Sequence, residues 1–394
     1  MPLTQEKYGQ YRDSVARLFS RFSRSSTTVA KIDSLPVSLD EKADLLAGAE
    51  KLVSAFQALP VNTVIISGQL VERLDELAAR VSKQGALSPA AFAKVVETAE
   101  ARLTRANDWQ DAYAVLDAFN HLTVSHNFNT PAHVKAALDF VTRPAMDAKK
   151  FERIAGAASE CFKTGAATTP QHFKELFAAA EKMHDAAEKH GLSFADYSAA
   201  TGRVGVFVSL SKAFRAVPHR LNVGQAKDLI ALTTAAIETD AQLPDVERLL
   251  THAADELKTQ TPPQITRTID LLARTARQHG GEAAGKTAEK MTKYNHLGHD
   301  TRFRIIEKAL QSKLRPQRAL ETYANALQEA KNAAGDVEDG IEHGVLLGPV
   351  GRDRLKQAIF SRKRFFDDAR KTVKTLETRR PQDSFEAELR DLHY

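Results

Sequence analysis

The chain has 394 residues, of which 43% are hydrophobic and 27% charged, a composition that folds and leaves room for several domains or one extended stack of repeats. Lysine and arginine exceed aspartate and glutamate by 55 to 50, for a net charge of +5, which in bulk is too modest to imply a nucleic-acid partner. No apolar run approaches the roughly 18 residues that cross a bilayer, and the single cysteine, Cys161, excludes an internal disulfide framework and any multi-thiolate metal centre.

Residues 1–35 make a basic leading segment. Arg12, Arg17, Arg21, Arg24 and Lys31 stand among Ser14, Ser20, Ser23, Ser25 and Ser26, with Leu18, Phe19 and Phe22 as the apolar side and Asp13 as the acid of that stretch. Arg-rich, Ser-rich, acid-poor composition is that of a mitochondrial presequence, although Gln5–Tyr11, with Glu6, comes first. The same residues also suit a first amphipathic helix with a solvated basic face. The expected location is the mitochondrial matrix, and otherwise the cytoplasm.

Residues 36–334 carry helix-period patterning almost throughout. Leu45, Ala49, Leu52, Val53 and Phe56 share one face at spacings of three and four, as do Phe92, Val95, Val96 and Ala99, and Leu229, Leu232 and Ala236. Val61–Ser67 and Val204–Leu210 are β-branched enough to suggest strands, but each is flanked by helical pattern and is read as buried helix.

Five helices open on one signature, a polar cap and then proline or a small residue: Ser88-Pro89, Thr130-Pro131, Thr169-Pro170, Asn222-Val223 and Thr261-Pro262. The cap oxygen accepts from an unpaired backbone N–H, and proline next to it gives up an N–H that would have had no partner. Second helices are expected between these starts, as in Asp108–His121, Ala148–Phe162 and Pro244–Leu257. The pattern predicts an all-α fold, an α-solenoid of antiparallel helix pairs with a period of about 40 residues. The longer interval from Gly191 to Leu221 predicts an inserted helix or loop. Gly335–Gly351 is glycine-rich and reads as a loop, and residues 352–394 as a basic helix followed by an acidic tail beyond Pro381.

Few residues suggest chemistry. Gly280, Gly285, Lys286 and Thr287 match a phosphate-binding loop in form, but the residues before them, Ile269–Gln278, read as helix where such a loop follows a strand; a glycine-containing turn between repeat helices is expected. His296 and His299 are separated by Gly298 and read as a solvated loop rather than a metal site. His133 and His172, each three residues after a cap, are expected at a common solvent or groove position. Cys161 reads as a buried small hydrophobe. No nucleophile elbow or acid/base pair stands out, so no catalytic residue, cofactor or metal site is expected.

The basic C-terminal helix is the main candidate for binding. Arg352, Arg354, Lys356, Arg362, Lys363, Arg364, Arg370, Lys371 and Lys374 are interleaved with Phe360, Phe365 and Phe366, so cations could neutralise phosphates while a ring stacks on an unpaired base. The same aromatics also fit the buried face of a terminal helix. Lys313, Arg315 and Arg318, with Lys308 nearby, would extend the surface if the helices adjoin.

The capped helix pairs of residues 36–330 resemble the degenerate helical-repeat proteins of organellar RNA metabolism, the octotricopeptide and FAST-kinase-like repeats and the mitochondrial RNA-processing and mitoribosomal factors of kinetoplastids. The resemblance implies a non-catalytic scaffold in a mitochondrial ribonucleoprotein, an RNA-processing complex or a mitoribosome, with RNA and protein subunits as partners and neither DNA binding nor membrane insertion. An accessory subunit of a respiratory-chain or ATP synthase complex, or a peptide-binding adaptor without RNA contact, fits the same pattern.

Overall fold

The computed structural model describes residues 3–325 and 328, apart from 24–25, 60–63, 85–86, 107–108, 145, 194–195, 199–201 and 218–220. The chain divides into two units, Met1–Ala231 and Leu232–Tyr394. Among the described residues the fold is all-α, with one two-stranded hairpin. No described helix is long and apolar enough to cross a membrane.

The first unit alternates between two layers of helices. One layer contains α1 (Gln5–Phe22), α3 (Leu39–Gln57), α5 (Pro89–Ala106), α7 (Pro131–Val141) and α9 (Pro170–Lys189). The other contains α2 (Thr28–Asp33), α4 (Val64–Gln84), α6 (Trp109–Thr123), α8 (Ala148–Lys163) and α10 (Val206–Ala216). Each helix packs on the one two positions along, and most also on their successors, so helix pairs stack with like helices side by side. The basic leading segment belongs to this stack: α1 lays Tyr8, Val15 and Phe19 against the unit and packs on α3 and α4.

The cap signatures act as expected at four of the five starts; at Thr261 the backbone N–H and hydroxyl instead donate to Gln264 Oε1. Thr130 Oγ1 accepts from the His133 N–H and Thr169 Oγ1 from the His172 N–H, each ahead of a proline at the helix start. Ser88 caps α5 in the same way. Asn222 and Gln225 exchange two hydrogen bonds at the start of α11 (Val223–Glu238). Replacing such a cap by alanine costs about 1 kcal/mol, so several caps together fix where the helices begin.

Hydrogen bonds between like helices join residues 38, 39 and 40 positions apart: Ser159 Oγ to the His121 carbonyl, an Arg102 N–H to the Val141 carbonyl, and Arg73 Nε to the Tyr113 hydroxyl. The interval is not uniform, for Asn120 Nδ2 donates to the Arg73 carbonyl 47 positions away and Asn127 Nδ2 to the Phe162 carbonyl 35 away.

A run of phenylalanines fills the middle of the first unit. Phe119, Phe128, Phe151, Phe162, Phe173 and Phe177 are fully buried, and Phe140 stacks on Phe177 with ring centroids 4.1 Å apart. Each such burial stabilises the fold by about 1.5–3 kcal/mol. Cys161 is buried in the same region, where desolvation pushes its thiol well above the usual range.

The interval from Gly191 to Leu221 holds both an extra hairpin and a helix. Strands β1 (Asp196–Ser198) and β2 (Gly202–Val204) pair antiparallel, with Tyr197 opposite Arg203. The stretch expected as one buried helix from Val204 is therefore split: Val204 ends β2, Gly205 turns at a φ of 138°, and α10 starts at Val206. A side chain would be strained at Gly205, which allows strand and helix to meet in one residue. Residues 64–67 of the other β-branched stretch lie within α4.

In the second unit α12 (Leu243–Leu257) packs on α14 (Gly281–Lys293), and α13 (Pro262–His279) on α15 (His299–Gln311). Residues 316–325 are helical as well. The phosphate-loop match lies at the start of α14. Gly280, at a φ of 91°, is the whole turn, and the expected longer turn is helix instead. A Cβ at Gly281 would come 2.4 Å from Ala241 Cβ and 2.7 Å from the Ala236 carbonyl, and one at Gly285 would meet the Asp245 carbonyl at 3.1 Å. These glycines allow close helix approach rather than phosphate binding. Thr287 is buried and donates to the Ala283 carbonyl, while Lys286 pairs with Glu282.

Arg302 is fully buried in this unit. It reaches Glu256 Oε1 at 2.6 Å, lies 2.9 Å from His299 Nδ1, and also donates to the Met291 carbonyl. Gln260 links Glu256 to Thr268. His299 is thus part of a buried network and not of the solvated loop expected from its sequence; the ring of His296 is exposed, edge-on to Tyr294. Arg302→Ala should lower stability by about 3–5 kcal/mol, because it strands the Glu256 carboxylate in the core. Urea unfolding of wild type, Arg302→Ala and Glu256→Gln/Arg302→Met should show most of that loss recovered in the double variant.

Candidate nucleic-acid interface

The basic residues 352–374 lie outside the described residues, as do the glycine-rich stretch 335–351 and the acidic tail. Lys313, Arg315 and Arg318 are described, and all three are exposed. Lys313 closes α15 at a φ of 56°, and Arg315 lies close enough to His279 and Glu282 for its charge to act on both.

A second basic surface was not apparent from sequence. The polar faces of α6, α8 and α10 enclose a groove of about 640 Å³. Five cations, Lys149, Arg153, Lys163, Lys212 and Arg215, line it against two glutamates, Glu152 and Glu160. Three aromatic rings, Trp109, Tyr113 and Phe207, share the lining. Trp109 and Tyr113, one helical turn apart, meet edge-on at 6.0 Å. Phe207 lies over Gly156, where a Cβ would come 3.1 Å from its ring, so the absence of a side chain there lets α10 close onto α8.

Glu160 is already neutralised. Arg215 Nε and Nη2 donate to its two oxygens at 2.9 and 2.8 Å, and Lys163 Nζ to one of them at 3.1 Å. Burial pushes this carboxyl up, but these partners outweigh it and hold the group ionised below its ordinary range. The lining is left with an excess of positive charge, suited to anions.

One of the two lining glutamates, Glu152, pairs with a carboxyl that is not itself in the lining. Asp117 on α6 is buried; Arg73 Nε from α4 forms an ion pair with its Oδ1 at 2.7 Å, and His121 Nε2 lies 3.1 Å from Oδ2. Burial raises the Asp117 carboxyl, yet His121 and Arg73 together draw it below the normal aspartate range. Glu152 on α8 hydrogen-bonds to Asp117 and has the opposite bias: burial first, then the Asp117 charge, push it up to about 7. Two carboxyl groups in such contact share one proton, and Glu152 holds it.

Other residues noted in the sequence fall elsewhere. His133 is buried between Phe128 and Phe162, at 5.0 and 5.5 Å, contrary to the solvent or groove position expected, and desolvation lowers its basicity. His172 is half-buried, its ring accepting from the Thr168 N–H. His184, Asp185 and Glu188 of α9 place three potential ligand atoms within 4.8 Å of one another, a grouping the spacing alone did not suggest. Lys150 Nζ already sits 2.5 Å from Asp185, where a metal ion would have to compete with it. No protein-family model and no curated protein matches the sequence.

The Glu152 proton has a thermodynamic consequence. Its folded-state value lies above that of the unfolded chain, so the folded state loses stability as pH rises from about 4.5 through about 7. Glu152→Gln keeps a neutral side chain at that position. Thermal or urea unfolding should show the variant gaining on wild type across this window, by on the order of 2–3 kcal/mol at its top. Equal slopes for both proteins would place the proton elsewhere.

Proposed function

We propose that this protein is a non-catalytic helical-repeat scaffold that contacts RNA and protein subunits within a ribonucleoprotein of the mitochondrial matrix. The observation that carries the reading is the groove of α6, α8 and α10, with five cations against two glutamates and three aromatic rings among them. Cations neutralise phosphates whatever the sequence, and exposed rings give unpaired bases a stacking surface, so single-stranded RNA is the anion that uses both. A neutral apolar groove would have favoured peptide or subunit docking alone.

Protein contact has its own surface. Between α5 and α7 runs a shallow depression with Ala90, Ala91, Ala101, Val134 and Leu138 along its length and Lys94, Arg105 and Asp139 at its margins. An apolar strip with a charged rim is the usual anatomy of a protein interface. The composition of α1 and the resemblance of the repeats support the mitochondrial location.

Lys149 and Lys212 are exposed on the groove, so charge reversal at both should leave the fold intact. Lys149→Glu/Lys212→Glu should weaken binding of a single-stranded RNA at least about tenfold and reduce the log–log salt slope by about 1–1.5. Arg362→Glu/Lys363→Glu/Arg364→Glu separates the two basic surfaces: a loss confined to that variant would move the RNA site to the C-terminal segment. Wild type that binds RNA with no dependence on salt, or not at all, would leave the accessory-subunit and adaptor readings in its place.

A further inference from the structure

One of the groove's two glutamates, Glu152, abuts a buried carboxyl outside the lining, Asp117. Asp117 is saturated by Arg73 from α4 and His121 from its own helix. The hydrogen bond it shares with Glu152 therefore needs the proton to sit on Glu152. Once that proton leaves, a second negative charge faces Asp117 across the seam between α6 and α8. It also enters the lining that would meet a ligand, since Glu152 borders the groove beside Lys149 and Arg153.

We propose that the groove of α6, α8 and α10 is a proton-gated phosphate site, which binds a phosphate-bearing ligand when the Glu152 carboxyl donates its hydrogen to Asp117 and releases it when that hydrogen is lost. The ligand's identity as RNA rests on the reading above, whereas the gating rests on the carboxyl pair. Binding and protonation are linked, so an anion bound in the groove raises the affinity of Glu152 for its proton, and the proton raises the affinity for the anion.

The surroundings leave Glu152 as the group that titrates here. From α6 it faces Asp117, His121 and Tyr113, and on its own helix Arg153. Lys212 and Arg215 of α10 line the same groove, with Arg215 occupied by Glu160. On the α9 side His184 lies beside Lys150 and Arg153, and α7 turns His133 towards Phe162. Burial and Asp117 raise Glu152 towards neutrality, while His121 and Arg153 draw it down. His121 lines the same groove and lies against the same Asp117, so the experiment includes its replacement as a control.

The test uses the full chain at constant ionic strength, with two probes, a fluorescent single-stranded oligouridylate and inorganic pyrophosphate. Affinities are measured from about pH 6 to about pH 8.5 for wild type, Glu152→Gln and His121→Gln. Wild type should lose on the order of tenfold in affinity for either probe across this range, the effect of one added charge near a bound anion. Glu152→Gln should stay at the low-pH affinity throughout. His121→Gln should keep the dependence with its midpoint moved upward, since Glu152 then loses a neighbouring cation.

Binding without pH dependence in wild type, or the same dependence in Glu152→Gln as in wild type, would overturn the gating and leave the RNA reading standing. Pyrophosphate bound with the expected dependence while oligouridylate is not bound would do the reverse. Failure of both probes at every pH would remove both. Should Glu152→Gln not fold, a flat profile in His121→Gln would assign the proton to His121 and end the proposal, and a retained profile with a raised midpoint would uphold it.

Discussion

The inner helices of the first unit have apolar surface on more than one side, and a helix pair cannot bury all of it. In α8, Phe151, Ile154, Ala155, Ala158 and Phe162 are all buried, and they are shared among α6, α7, α9 and α10. That surplus makes each pair depend on the next, and it produces stacking in two layers rather than closure around one centre. Most else in the structure follows from the need for neighbouring pairs to fit. The groove exists because the polar faces of α6, α8 and α10 are left side by side once their apolar faces are covered.

Charge is concentrated at the seams between pairs. Arg73 and Asp117, Arg215 and Glu160, Arg267 and Glu307, and Arg302 and Glu256 each join elements well separated in sequence. Apolar contacts between helices slide at little cost, but a bidentate guanidinium–carboxylate pair, as Arg215 makes with Glu160 and Arg267 with Glu307, is satisfied in one geometry. Such pairs add little net stability when buried, since desolvation offsets attraction. Their effect is to choose one register among several that hydrophobic packing alone would accept. Asp117 sits at one such seam, where it holds α6 against α4 and raises the carboxyl of its neighbour Glu152 above the ordinary range.

The helices were largely legible in the sequence because their signals are local. Thr130-Pro131, Thr169-Pro170 and Thr261-Pro262 carry cap and proline together, and the helices begin there. The expected second helices match α6, α8 and α12 to within a residue or two. What could not be read depends on the distance between helices. Asp117 and Glu152 lie on the polar faces of two amphipathic helices, where their carboxyls look like ordinary surface groups until packing brings them together. His133 was misplaced because its surroundings, Phe128 from the preceding turn and Phe162 from α8, come from outside its own helix. Val204–Leu210 was read as one element because β-branched residues are compatible with either state, and the backbone turn at Gly205 divides it.

Gly280 and Gly285, with Lys286 and Thr287, match a nucleotide-binding pattern letter by letter, yet here Gly280 makes a turn and Gly281 and Gly285 serve packing. Gly281 has Ala241 and Ala236 against it so closely that the three positions behave as one volume. Substitutions among them are therefore ordered in time. A methyl group gained at 281 is tolerable only in a chain that has already lost bulk at 241 or moved its backbone near 236, whereas the opposite order passes through a poorly folded intermediate. Change at this corner of the protein is thus confined to coupled substitutions around positions 236, 241 and 281.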